Sequence, residues 1–214
     1  MLFRSTFDSD GKQTIDFGST SDFADSVAVD SANRVLVAGY SYQGAPTDYD
    51  IALARLTTSG GLDSSFDSDG KVLTDILQPG SDFGRDVVAY QSDGKSIVVG
   101  TAGSDMVAVR YNTDGTTDTT FGTNGIVQID FGGSDQGYSV AVDSADRVLV
   151  AGRFYQGSST GWDFAVARLT ASGALDATFD SDGQQTIDFG STSDVGYSVA
   201  VDSANRVLVA GYSY

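Results

Sequence analysis

The chain is 214 residues long, enough for one domain with a real core. Its 12 Lys and Arg face 29 acids, a formal net charge of −17, and a field of that sign repels nucleic acids and anionic membrane surfaces alike. With no cysteine and no histidine it has no disulfide, no Cys/His zinc site and no Ser-His-Asp triad, and no apolar run nears the roughly 20 residues a membrane-crossing helix needs.

Met1–Thr6 is too short and polar for a secretory signal, so no signal peptide is read in this chain. The first predicted strand is Lys12–Phe17 (KQTIDF). Ser26–Asp30 (SVAVD), Arg34–Tyr40 (RVLVAGY) and Asp50–Leu56 (DIALARL) follow. All are short, rich in Val, Ile and Leu, and bracketed by Gly, Asp, Ser or Asn, and no window sustains a helical period. The set then recurs. FDSDGKQTIDFGSTSD (Phe7–Asp22) returns as FDSDGQQTIDFGSTSD (Phe179–Asp194), and VAVDSANRVLVAGYSY (Val27–Tyr42) returns unchanged at Val199–Tyr214. Two diverged copies open at Phe66 and Phe121, so the anchor phenylalanines are spaced 59, 55 and 58 residues. One domain over 1–214 is expected, with repeats at 7–65, 66–120 and 121–178 and a truncated copy at 179–214.

The second and third runs read as a tight hairpin. Aligned on Gly39, Gly100, Gly152 and Gly211, the copies put Asn33, Gly94, Asp146 and Asn205 at one turn position. These residue types tolerate a left-handed backbone. Four antiparallel strands per unit, apolar on both faces, fit an all-β propeller of about four blade equivalents. A β-solenoid is the rival, but its coils are shorter than these repeats. Counting runs gives fifteen strands, which do not divide into four-stranded blades.

The pieces GGLDSSFDSDGK (Gly60–Lys71), VAVDSANRVLVAG (Val27–Gly39) and DIALARLT (Asp50–Thr57) resemble the bacterial delta-60 repeat family over essentially the whole chain. That family typically has Phe-Gly where three copies here have Phe-Asp; Phe121-Gly122 keeps it. The resemblance implies a propeller-like bacterial surface or secreted protein and supplies no catalytic residues. The hairpin is also similar to the inner strands of NHL-type blades, which would make SVAVD the innermost strand and KQTIDF an outer one.

Candidate sites follow the repeats. The acidic turn FDSDG carries Asp8 and Asp10, Asp67 and Asp69, and Asp180 and Asp182, with a later acid at Asp16, Asp75 and Asp188. Two hard oxygens on a tight loop suit calcium, the one cofactor expected. Asx turns are the plainer reading, because Asp side chains bond their own backbone. Recurring Arg55, Arg110 and Arg168 suggest an Arg–carboxylate wall between blades. Aromatic residues gather after the hairpin as Tyr40, Tyr42, Phe154 and Tyr155, with Trp162 in a neighbouring loop. Strand direction puts them on one face with Asp22, Asp135 and Asp194. Rings and carboxylates together bind sugars; the alternative is that the rings cap blade edges.

The expected function is a non-enzymatic secreted or surface scaffold binding a ligand or partner, with carbohydrate or protein as the ligand and neither nucleic acid nor membrane insertion. The rival is a hydrolase working through Asp, Tyr or Ser without His. Asymmetry between copies separates the two, since a catalytic site needs residues unique to one blade. Cut blades expose unpaired strand edges. The cut blade reads as a fragment of a longer repeat protein or as a unit completed by another copy of itself, a homodimer closing an eight-blade ring; the alternative is a four-blade monomer one strand short.

Overall fold

The computed structural model describes residues 7–214 apart from 9, 46, 47, 91 and 158–160. Its strands fall into successive antiparallel sheets, each made from chain-adjacent segments. The first sheet runs β1 (Asp22–Val29), β2 (Val35–Gly44), β3 (Asp48–Leu56), β4 (Lys71–Thr74) in spatial order. The second repeats this as β5 (Asp82–Ala89), β6 (Ser96–Ala102), β7 (Asp105–Tyr111), β8 (Ile126–Ile129). The third comprises β9 (Ser134–Val142), β10 (Val148–Gly157), β11 (Gly161–Leu169) and β12 (Gln184–Ile187), and the fourth only β13 (Asp194–Val201) and β14 (Val207–Ser213). The first strands of successive sheets, β1, β5, β9 and β13, lie against one another.

The hairpin turns form as their chemistry requires. Asn33, Gly94, Asp146 and Asn205 all have positive φ, between 57° and 75°. Asp30 fastens the first turn, its Oδ1 accepting from the backbone of Ala32 and Arg34 and its Oδ2 from Arg34 Nε at 2.7 Å. Asp143 and Asp202 do the same for the third and fourth turns.

Both faces of the middle sheets are buried, which is why their runs are apolar without alternation. Along β6, Ile97 and Val99 enter the layer shared with the third sheet while Val98 enters the layer shared with the first. The period of two along β7 likewise sends Met106 and Ala108 one way and Val107 and Val109 the other.

One expected strand does not form. Lys12–Phe17 has no ladder, and the described strands number fourteen rather than fifteen. Its equivalents β4, β8 and β12 each pair with the third strand of their own sheet, a strand supplied by the preceding repeat. Among the described residues, no such strand precedes the first copy. The segment still holds the outer position: Lys71 Nζ donates to the Asp16 carbonyl at 2.8 Å, as Gln184 Nε2 does to the Asp130 carbonyl at 2.9 Å. Blades are therefore offset from sequence repeats, each taking its outer strand from the following copy.

Candidate functional site

Each first strand carries a β-bulge. The register steps over Asp25 in β1, Arg85 in β5, Tyr138 in β9 and Tyr197 in β13, leaving that residue outside the ladder. Bulges re-aim a side chain and recur beside functional sites. The geometry also forces a glycine opposite. A Cβ at Gly39, Gly100, Gly152 or Gly211 would lie 1.7–1.8 Å from a carbonyl oxygen just before the bulge.

Next to each bulge residue, the strands are tied by a belt of hydrogen bonds. Asp86 accepts from Ser26 Oγ at 2.6 Å and from Ser139 Oγ at 3.0 Å, so one carboxylate spans three successive first strands. The bulge residues touch too. Arg85 Nη1 meets Asp25 Oδ2 at 2.7 Å, and the rings of Tyr138 and Tyr197 lie 5.3 Å apart. At this position the four blades carry four side chains of three types.

The predicted aromatic residues flank this row. Half-buried Tyr40 stacks on Phe23 at 4.8 Å and meets Phe83 edge-on at 5.0 Å, while Arg85 lies 5.2 Å over the Tyr40 ring. Tyr42 packs on Tyr49 at 5.3 Å. On the other side Tyr155 meets Trp162 at 5.2 Å, and Arg153 lies 4.0 Å over the indole and 5.8 Å over Tyr138. Burial pushes the Tyr138 hydroxyl up, against the opposing charges of Arg153 and Arg85. Phe154 is separated from these rings. Its side chain is 8% exposed, packed on Phe131 in the apolar layer between the second and third sheets.

The FDSDG turns adopt strained left-handed geometry at Asp8, Asp67 and Asp180, with φ of 41–46°. Asp10, Asp69 and Asp182 spend an oxygen on the backbone N–H two residues on, at 2.9 Å each. That is the Asx-turn arrangement. The close-set carboxylates lie elsewhere among the described residues. Asp50, Asp75 and Asp82, then Asp105, Asp130 and Asp135, then Asp163, Asp188 and Asp194 form three groups. Within each, an oxygen from every member lies within 4.8 Å of the others. Burial, then Asp75 and Asp82, push the Asp50 carboxyl up to about 6; burial, with Asp130 and Asp105 adding to it, pushes Asp135 up to about 6. Asp75, Asp188, Asp135 and Asp194 are visible in the sequence as repeated acids, but their grouping with strand-start residues from a neighbouring repeat is not.

Residues 33–66, 91–121 and 146–179, just under half of the chain, match the family model of a β-propeller domain of unknown function (DUF5122). These are β-propeller repeats. No curated protein matches the chain. Each matched segment runs from the hairpin turn to the anchor phenylalanine, where the propeller repeats close on a common pin. Arg55, Arg110 and Arg168 lie 4.6, 4.5 and 4.9 Å over Phe66, Phe121 and Phe179. Their Nε atoms donate to Asp63, Asp118 and Asp176 at 2.7–2.8 Å. Arg55 and Arg110 also reach the carbonyls of Thr113 and Ala171 in the next repeat, so these arginines join propeller blades.

Proposed function

We propose that this propeller is a non-enzymatic scaffold that binds a carbohydrate across the bulge row, where the inner strands converge. The observation behind this reading is the set of rings and hydrogen-bonding groups gathered along that row. Asp25, Arg85, Tyr138 and Tyr197 stand at one register position, beside the ring clusters of Tyr40 and Trp162. Tyr197 and Tyr155, 53% and 38% exposed, offer ring surface for stacking on a pyranose. Arg85 supplies a planar set of donors and Asp25 acceptors for paired hydroxyls. The identification with the delta-60 repeat family rests on the quoted motifs, and secretion or surface display by a bacterium rests on that likeness and on the charge of −17.

The test is a glycan array followed by calorimetric titration of the best ligand. Tyr197→Ala and Trp162→Ala should each weaken binding by about tenfold or more. Phe154→Leu should leave affinity unchanged once folding is verified. Binding untouched by both ring removals, or no binding across the array, overturns the proposal.

A further inference from the structure

We propose that each junction between successive blades is a calcium site built from three aspartates: Asp50, Asp75 and Asp82; Asp105, Asp130 and Asp135; and Asp163, Asp188 and Asp194. The construction is the same three times. The first ligand lies at the start of a blade's third strand: Asp50 in β3, Asp105 in β7, Asp163 in β11. The second follows directly on that blade's outer strand, one residue beyond β4, β8 and β12. The third opens the first strand of the next blade, in β5, β9 and β13. Two ligands thus come from one blade and one from its neighbour, so a bound ion ties them together.

Buried oxygens without partners point into this arrangement. Asp163 is fully buried, and neither of its carboxylate oxygens has a hydrogen-bond partner. Asp82 and Asp135 are also fully buried. Each is held by Oδ2, which accepts from the backbone of Ile76 and Leu77 or of Phe131, while Oδ1 is left without a partner. Asp50 Oδ1, in a side chain 6% exposed, is unpartnered as well. An unsatisfied carboxylate in a dry setting is among the costlier features a fold can hold, unless a cation completes it. The charged groups acting on Asp50, Asp135 and Asp163 are other aspartates, with no Lys or Arg among them.

The ligand chemistry selects the ion. Carboxylates alone, in a chain without His or Cys, favour a hard cation. Oxygens that all lie within 4.8 Å of one another fit a Ca²⁺ ligand sphere of about 2.4 Å radius, and Ca²⁺ takes irregular carboxylate sets more readily than Mg²⁺, which demands near-ideal octahedral geometry and keeps its waters.

The experiment uses the full chain stripped with EDTA, equilibrium dialysis against ⁴⁵Ca²⁺, and thermal melts in EDTA and in millimolar calcium. Uptake of about three ions per chain is expected, with a rise in Tm of about 5 °C or more by mass action. The variant D50N/D105N/D163N should lose the uptake and the rise, yet melt in EDTA at or above the parent because like charges have been removed. Should that variant not fold, Asp163→Asn alone should bind one ion fewer. The turn variant D67N/D69N/D180N/D182N should keep full uptake. No uptake by the parent, undiminished uptake by the strand-start variants, or loss in the turn variant instead overturns the proposal. A melting response to Mg²⁺ as large as that to Ca²⁺ overturns the choice of calcium.

Discussion

Individual aspartates do opposite work in this chain, and their environments say which. At Asp118 burial disfavours ionisation. Hydrogen bonds from the Thr120 side chain and backbone and from Lys95, with the Arg110 charge, outweigh it and hold the carboxyl well below the usual range. Asp63 and Asp143 are shifted down in the same way: burial opposes them, and bonds from Ser65 and from the Arg147 and Ala145 backbone prevail. These groups stabilise the fold above the unfolded value of 3.8 and lose that contribution only as pH falls below it. Asp50 and Asp135 have the reverse sign. Their folded values of about 6 exceed the unfolded 3.8, so their contribution is full below 3.8 and disappears as pH rises through 6. In EDTA, the melting temperature should therefore be higher at pH 5 than at pH 7.5. General repulsion from the charge of −17 acts in the same direction, so the comparison that isolates these residues is with D50N/D135N. A shallower pH slope in that variant is expected, and an identical slope would dismiss the two sites as its cause.

At the scale of the element, the bulged first strand and the glycine opposite form one device. The bulge turns the preceding carbonyl toward the neighbouring strand, and only a residue without Cβ fits beneath it. Gly100→Ala places a carbon 1.7 Å from the Phe83 carbonyl oxygen, backbone that no rotamer change can relieve. It should cost about 3 kcal/mol or more in denaturant unfolding. Gly61→Ala, whose nearest neighbour would be 4.0 Å away, should change stability by no more than about 0.5 kcal/mol. Equal midpoints for the two variants would show that the bulge yields.

For the whole molecule, blade-on-blade burial is the organising fact. Val87, Val140 and Val199 pack on the preceding blade and are 5–7% exposed, whereas Val27, at the same register in β1, is 64% exposed. The face of the first blade has the composition of an interior layer. Another blade of the same construction is the complementary surface for it, and we propose that a second copy of the chain can supply that blade. Light scattering should then give twice the 22.3 kDa of one chain, and Val27→Asp should return it to the single-chain mass. A well-folded parent at 22.3 kDa at working concentration would exclude the shared assembly.

The repeat period, the strand identities and the hairpin turns were all legible in the residues. The turn at Asn33, Gly94, Asp146 and Asn205 is governed by local backbone sterics, and a local cause leaves a local trace. The arginine wall was legible because it recurs at one register. Lys12–Phe17 was misread as a strand for the opposite reason: its composition matches β12 closely, but a strand exists only against a partner, and the partner belongs to another blade. The bulge row and the aspartate triads share that character. Asp25, Arg85, Tyr138 and Tyr197 meet because first strands converge, and Asp50, Asp75 and Asp82 meet because successive sheets stack. Periodicity and turn chemistry decide what each segment becomes. Which side chains then share a dry volume is set by packing between sheets, and that was decided only in the tertiary structure.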